Sequence, residues 1–565
     1  MDTSTQLSDV SATLVPRLLT QACRDPNSPC HGCFDRDWWH YKIRDFPSII
    51  LQQGGYSAWL AAGLPAFSPW KAELTALAAA SCRFWNQRAT RRGAFEEYYP
   101  HEQGYPPLAF STLAVAKLVA AGVAPAADVE PGARAAARQL LARFEPQAAN
   151  QQVAGLAALA WLRRVFPALA PDAAFDRIAG RTLALQTAEG WFVEYGGPDL
   201  GYLSVTLDCL WDLFDATGDP RYRAAAAAGL ACIARYAAVT GGGIGLHNAR
   251  NTDYILPYGI ARFAVGEAPE RATAERLLTA LYANVSEPAH FLRAMDDRYL
   301  SHYAGHSLLR AATVLAARSP LKNPAREDAR PPETEDRLRS MGGRAAPRAV
   351  HQALPASGAA TPPSDVLLPA SGHYLRPAQP GRAYAAILSL RKGGILTAVA
   401  PSGRVSDFGW LVESKGRQFV NHWWSDAWRW TREGDSFTIR GNLAPHREHL
   451  STPPKHAILR LASFLLGRRV IAPLKNALIF KKSLAGPAFE RTVTFEPSSI
   501  VVSDRVSGLP EGASIRPAPR SSKRHVASAD SFHEEDFRPV PDAMADRTQH
   551  FAKGVFEAKT VYTLG

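Results

Sequence analysis

Three stretches of this 565-residue chain gather tyrosine, glycine, asparagine and charge. They are FEEYYPHEQGYPP (95–107), TAEGWFVEYGGPDLGYLSVTLDCLWDLFDATGD (187–219) and GGGIGLHNARNTDYILPYG (241–259). A structural turn needs only a glycine and a capping residue. These loops also carry Trp191, Tyr195, Tyr202, Arg250, Asn251 and Tyr254, a set suited to sugar hydroxyls and ring faces. Elimination at a uronic acid is one reaction that such residues suit. The C5 proton of that sugar becomes removable only when the adjacent carboxylate is neutralised by hydrogen bonds or positive charge. An Asn amide and an Arg fork can neutralise it, and a Tyr can act as base and then acid if nearby cations lower its pKa. Tyr202 falls in the first turn of a helix whose apolar stripe is Leu203, Leu207, Leu210 and Phe214, so it can face the loop. A packed aromatic turn between two helices is the competing reading of the same residues.

Other groups could assist. His101, in EEYYPHEQGY, could move a proton or hold a carboxylate, and Glu96, Glu97 and Glu102 beside it could form the paired carboxylates of a glycoside hydrolase. His302 and His306 stand four apart, a metal-competent spacing, but no acid occupies the HExxH position; helix-terminal structure and, for His302, anion or sugar contact are the competing readings. His422 lies among Trp423, Trp424, Trp428 and Trp430, whose faces can stack on sugar rings or fill a sheet core.

Helical periodicity must position these loops. Amphipathic patterns run over 71–87, 108–121, 133–144, 152–166, 175–186, 202–214, 222–236, 270–285 and 306–317, separated by short Gly, Pro and Asp punctuation. Each pattern must bury one stripe, which predicts an incomplete (α/α) toroid over 1–317 with the long loops gathered at one end. Residues 318–371, dense in Pro and Ala, read as a linker. From 372 to 565 the period changes to two, in runs such as AYAAILSL, GILTAVA, SFTIRG, ALIFKK and FERTVTF, which predicts an antiparallel β-sandwich with a polar insertion at 517–550. The fold class is therefore α+β and multidomain.

Sixty-four Lys and Arg against fifty-two Asp and Glu give a formal charge of +12, which favours an anionic partner. No helix-turn-helix, P-loop or RNP-like motif points to nucleic acid. The amino-terminal residues lack an apolar h-region and no stretch is long enough to span a bilayer, so a cytoplasmic location is expected and membrane insertion is not. Cys30 and Cys33 form one CxxC with Cys23 upstream, and no fourth metal ligand has the right spacing. No cofactor and no metal are expected. Oligomeric state is not readable.

A helical toroid followed by a β-sandwich, with loops reading FEEYYPHEQGY, EYGGPDLGY and ARNTDYILPYG, resembles the heparinase II/III-like polysaccharide lyases and their alginate-lyase relatives. The resemblance implies a cofactor-free lyase that cleaves an acidic polysaccharide by β-elimination. It implies Asn150, in AANQQVAGLAAL, as part of the carboxylate neutraliser, with Gln151 where the family has His. It also implies Tyr202 as base and acid, His101 and His422 as assisting groups, and Arg250, Asn251 and Tyr254 facing substrate. Gln151, Glu97, Tyr195, Trp191, His302 and Trp424 complete the expected substrate contacts. A hydrolase using the glutamates, or a glycan-binding protein without turnover, stands as the alternative.

Overall fold

A computed structural model describes residues 3–90, 95–266, 269–287, 290–318, 364–446, 452–478, 485–518 and 545–565. In chain order the first helices are α1 (Thr3–Thr20), α2 (Arg36–Trp39), α3 (Gln53–Ala61), α4 (Lys71–Thr90), α5 (Tyr105–Ala120), α6 (Glu130–Ala142), α7 (Ala149–Val165) and α8 (Asp172–Leu183). They continue as α9 (Leu200–Thr217), α10 (Pro220–Thr240), α11 (Tyr258–Val265), α12 (Arg271–Tyr282), α13 (Phe291–Ala294), α14 (Asp297–Leu300) and α15 (Tyr303–Arg318). α3, α5, α7, α9, α11 and α15 pack each on the next, and α15 meets α3 at the seam. α4, α6, α8, α10, α12 and α1 lie against them from outside. The two rings differ in sequence as their positions require. α5, α7 and α9 are buried almost all round, whereas α6, α8 and α12 bury a single stripe such as Ala133, Ala136, Ala137 and Leu140. This is the expected toroid.

The ring is tied across its centre by buried charge. Asp212 on α9 accepts from Lys117 of α5 at 2.5 Å and from two nitrogens of Arg310 of α15 at 2.5 and 3.2 Å. The Arg310 guanidinium lies 3.4 Å from the ring centroid of Tyr258 on α11, and the Lys117 ammonium lies 4.6 Å from that of Tyr56 on α3. One carboxylate thus links three inner helices directly and two more through aromatic faces. Burial alone would raise the Asp212 pKa, but the two cations outweigh it and hold the carboxyl below its ordinary value. One turn earlier, Asp208 accepts from the amide of Gly259, and burial pushes its pKa up to about 7.

The strands are β1 (Val366–Leu368), β2 (His373–Arg376), β3 (Ala385–Ser389), β4 (Ile395–Ala400), β5 (Gly403–Asp407), β6 (Trp410–Ser414), β7 (Arg417–Val420), β8 (Arg429–Glu433), β9 (Ser436–Asn442) and β10 (Ala444–His446). After the helices α16 (Pro453–Leu466) and α17 (Ile471–Leu478) come β11 (Ala488–Phe495), β12 (Ser499–Ser507), β13 (Ser514–Pro517), β14 (Ala545–Ala552) and β15 (Val555–Thr563). All pair antiparallel in sheets ordered β1-β2-β3-β4-β5, β10-β7-β6-β13 and β14-β15-β12-β11-β9-β8. Alternation along β2 and β3 explains how the domains meet. Leu375, Ala385 and Ile387 join the toroid core, and Tyr374, Ala386 and Leu388 join the core shared with Phe437, Val493 and Val502. Inside the sandwich Arg491 bridges Asp504 and Asp407, with the Tyr562 hydroxyl donating to Asp407 at 2.9 Å.

Residues 319–363 of the expected linker and 519–544 of the expected insertion lie outside the described residues. β1 begins inside the span read as linker, and β14 begins inside the span read as insertion. The run ALIFKK, read as a strand, opens as the end of helix α17 instead, because a short apolar run fits either period.

Two outcomes follow from the central charges. Asp212→Ala leaves two buried cations uncompensated and should cost ~3–5 kcal/mol in denaturant unfolding. Loss under about 1 kcal/mol would show that the ring holds without the clamp. Because Asp208 is raised to about 7 in the folded state and ionises near the ordinary carboxylate value when unfolded, the folded chain binds more protons between those values. Its contribution therefore falls as pH rises from about 4 to about 7, and unfolding of Asp208→Asn should lack that part of the slope.

Candidate functional site

The amino-terminal ends of α7 and α9 converge on the loop between α10 and α11. Asp199, the N-cap of α9, accepts from the amide of Tyr202 at 3.1 Å, the amide of Arg250 at 3.0 Å and the hydroxyl of Thr252 at 2.5 Å. Asn248 accepts from the amide of Leu200 and donates to the carbonyl of Thr252, each at 2.8 Å. Gly201 permits this approach, because a Cβ there would lie 2.3 Å from the Thr252 hydroxyl oxygen. At α7, Glu194 accepts from the amide of Asn150 at 2.7 Å, and the amide of Ala149 donates to the carbonyl of Val193.

These contacts bring most of the expected residues together. The Arg250 guanidinium lies over the ring of Tyr195 at 4.3 Å, and Gln151 donates to the Tyr195 hydroxyl at 3.3 Å. Tyr254 and Tyr303 share a hydrogen bond at 3.1 Å, and the charges of Tyr303, Arg250 and Tyr195 all act on the Tyr202 hydroxyl. His302 packs edge-on against Tyr303, and burial followed by Arg298 lowers its pKa to about 3, so the ring is neutral. Tyr195 and Asn251 adopt φ of 54° and 60°, a left-handed conformation that a non-glycine residue holds only against local strain.

Arg250 is 6% exposed, its Nε has no hydrogen-bond partner, and it forms no salt bridge among the described residues. A buried guanidinium lacking a paired acid is costly unless an anion completes it. The charge of Arg250 acts on the Tyr202 hydroxyl. The expectation that cations lower the Tyr202 pKa is corrected. Burial comes first and Tyr303 second, and together they outweigh Arg250 and carry the hydroxyl well above its ordinary value.

The sandwich contributes two side chains. Lys392, buried in the turn after β3, donates to the carbonyls of Leu246 and Asn248 and to the side-chain oxygen of Asn251. Burial draws its pKa down to about 7. Trp424 donates to the carbonyl of Gly196 at 3.2 Å and covers Gly197, whose added Cβ would lie 2.4 Å from the indole.

Three expected residues, Trp191, His101 and Glu97, lie elsewhere. Trp191 is 4% exposed and donates to Glu189, which in turn accepts from the amides of Ala370 and Ser371, so its indole joins the two domains instead of facing a sugar. His101 sits on the rim with its ring 5.3 Å from that of Phe464 on α16, and no hydrogen bond or ring contact joins it to Tyr202. His422 is buried in the turn after β7, beside Asn421, which binds the backbone of Gly393 and Trp410. Glu97 closes its own loop, its amide donating to Glu102 at 3.0 Å, and burial followed by the Glu102 charge raises its carboxyl. Asp199, Glu194, Tyr303 and Lys392 were not singled out in the sequence. Of these, Asp199 was findable as the Asp before a helix start.

No family model matches the sequence, and no curated protein matches it. Among solved structures the chain is similar to the chondroitin AC lyase of Streptomyces coelicolor A3 in complex with chondroitin sulphate. The identity is 10% over 99% of this chain and 77% of that one, with a TM-score of 0.46. It is also similar to a Paenibacillus xanthan lyase, at 12% identity over 91% of this chain and 46% of that one, with a TM-score of 0.47. A mutant of the Streptomyces enzyme gives 12% identity and a TM-score of 0.43. These structures are polysaccharide lyases, and none bears the heparinase II/III name.

Lys392→Ala should free the 246–251 loop while leaving the ring intact. Hydrogen exchange of those amides should accelerate about tenfold or more, since each stranded acceptor costs ~1–3 kcal/mol. Unchanged exchange would show that the toroid alone fixes the loop.

Proposed function

We propose that this chain is a polysaccharide lyase that cleaves a uronic-acid-containing polysaccharide by β-elimination, without a cofactor. The observation that carries the reading is the buried Arg250, which forms no salt bridge among the described residues and whose amide, like that of Tyr202, is held by Asp199. The substrate carboxylate pairs with Arg250, and the Asn150 amide adds a hydrogen bond, so charge developing at C5 is stabilised. Tyr202 in its phenolate form takes the C5 proton, and the resulting hydroxyl protonates the departing glycosidic oxygen, leaving a double bond between C4 and C5. Its raised pKa makes that phenolate scarce but strongly basic, so the rate rises from neutral towards alkaline pH. In this reading Asn251, Tyr254, Tyr195, Gln151 and His302 contact the sugars. A heparinase II/III-like subtype belongs to this proposal, on the three loop motifs.

The hydrolase alternative loses two of its three carboxylates, because Glu96 accepts from the amide of His101 and Glu102 from those of Glu97 and Tyr98, so that both hold their own loop, which leaves it Glu97. A glycan-binding role without turnover has one observation in its favour, Gln151 at the position where the resembling family carries His.

Tyr202→Phe keeps the ring and removes only the hydroxyl. It should lower kcat/KM on a cleaved polyuronide by ~10²–10⁴-fold, read from the ultraviolet absorbance of the unsaturated product. Full activity in Tyr202→Phe would remove the residue from the mechanism.

A further inference from the structure

α16 is built the wrong way round for a helix of a soluble surface. Ile458, Leu461 and Leu465, on one face, are 69%, 60% and 67% exposed, and Phe464 and Leu466 beside them are 56% and 53% exposed. Ser463 is its one buried side chain among the described residues. The helix is held from its polar side, where Arg460 pairs with Asp45, while Phe464 also touches the rim at His101. The loop leading to Asp45 adds two more exposed apolar residues, Tyr41 at 56% and Ile43 at 73%, with Lys42 between them. Contiguous apolar surface of this kind marks an interaction site.

Charge selects the occupant. From Pro453 to Leu478 the chain carries Lys455, Arg460, Arg468, Arg469 and Lys475 and no Asp or Glu, and of these Arg460 and Lys475 already pair with Asp45 and Glu145. A second copy laid face to face would set Arg468 and Arg469 against their own images, whereas anionic headgroups would neutralise them while acyl chains received the apolar row. A helix of 14 residues is ~21 Å long, too short to cross a bilayer. Among the described residues no helix is long and apolar enough to span one. Basic residues flanking an exposed apolar face are the pattern of a helix that lies in the interface.

We propose that α16, with the Tyr41–Ile43 loop beside it, is a docking surface for an anionic phospholipid bilayer, which sets the rim of the toroid near His101 close to the membrane. This is independent of the elimination chemistry, because vesicle binding requires no substrate.

The test is flotation of the full chain with phosphatidylcholine vesicles containing about 30 mol% phosphatidylglycerol, against phosphatidylcholine alone. The unmodified chain should float with the anionic vesicles and release at high salt. The combined variant Ile458→Ser, Leu461→Ser, Leu465→Ser should bind at least about tenfold more weakly with an unchanged thermal unfolding midpoint, since these side chains face solvent. Arg468→Glu with Arg469→Glu should weaken binding in the same way. No flotation of the unmodified chain, or equal flotation of the triple variant, would overturn the proposal. Dimerisation in solution that the triple variant abolishes, without vesicle binding by either protein, would overturn it in favour of a second copy.

Discussion

The carboxylate of Asp212, held between Lys117 and Arg310, is the contact on which the toroid turns. Ionised groups leave water at a cost of several kcal/mol each, and that cost is offset only if all three keep their geometry. The helices that carry them, α5, α9 and α15, are therefore fixed relative to one another by a constraint far more directional than apolar packing. α9 is the member that matters most for the site. Its lower half holds Asp208 and Asp212 in the centre of the ring, and its first turn presents Asp199 and Tyr202 at the mouth. A displacement of the central clamp thus moves Tyr202 with it.

The mouth is completed from outside the toroid. Asp199 gathers the amides of Tyr202 and Arg250 and the Thr252 hydroxyl, and Lys392 reaches in from the sandwich to bind the other side of the same loop. His247 follows the same logic, its two ring nitrogens engaging Ser389 and Thr397 of the first sheet at 2.6 and 2.9 Å. Burial is the main force that lowers its pKa, so the ring stays neutral and bonds as donor and acceptor. Two loops, each tied to both domains, can hold Tyr195 and Asn251 in strained left-handed conformations, and strain of that kind persists only where surrounding structure over-determines it.

Much of this was legible from residue order. The apolar periods of α4 to α10, α12 and α15 gave the ring, and the change to period two gave the sandwich, because each pattern answers to a burial that is local in sequence. Tyr195, Tyr202, Arg250, Asn251 and Tyr254 drew notice because they lie on or at the ends of the long interhelix loops, whereas Asn150 and Gln151, in the first turn of α7, came only from the family resemblance. What was hidden depends on distant partners. Lys117 and Arg310 look like ordinary surface cations of amphipathic helices until Asp212 is seen between them. Lys392 stands in LRKGG, a turn with no local sign that it enters another domain. Trp191 and Glu97 misled for the same reason, since an aromatic or acidic loop residue reads alike whether it faces a ligand or its own fold. α16 escaped because its apolar face is not buried among the described residues.

Incubation with uronic-acid polysaccharides, followed by proton NMR of the products, separates elimination from hydrolysis. Elimination at Tyr202 gives a vinylic H4 signal from a C4–C5 unsaturated sugar, in step with chain shortening and absent in Tyr202→Phe. Shortened chains carrying only saturated ends would contradict elimination and move the chemistry to hydrolysis.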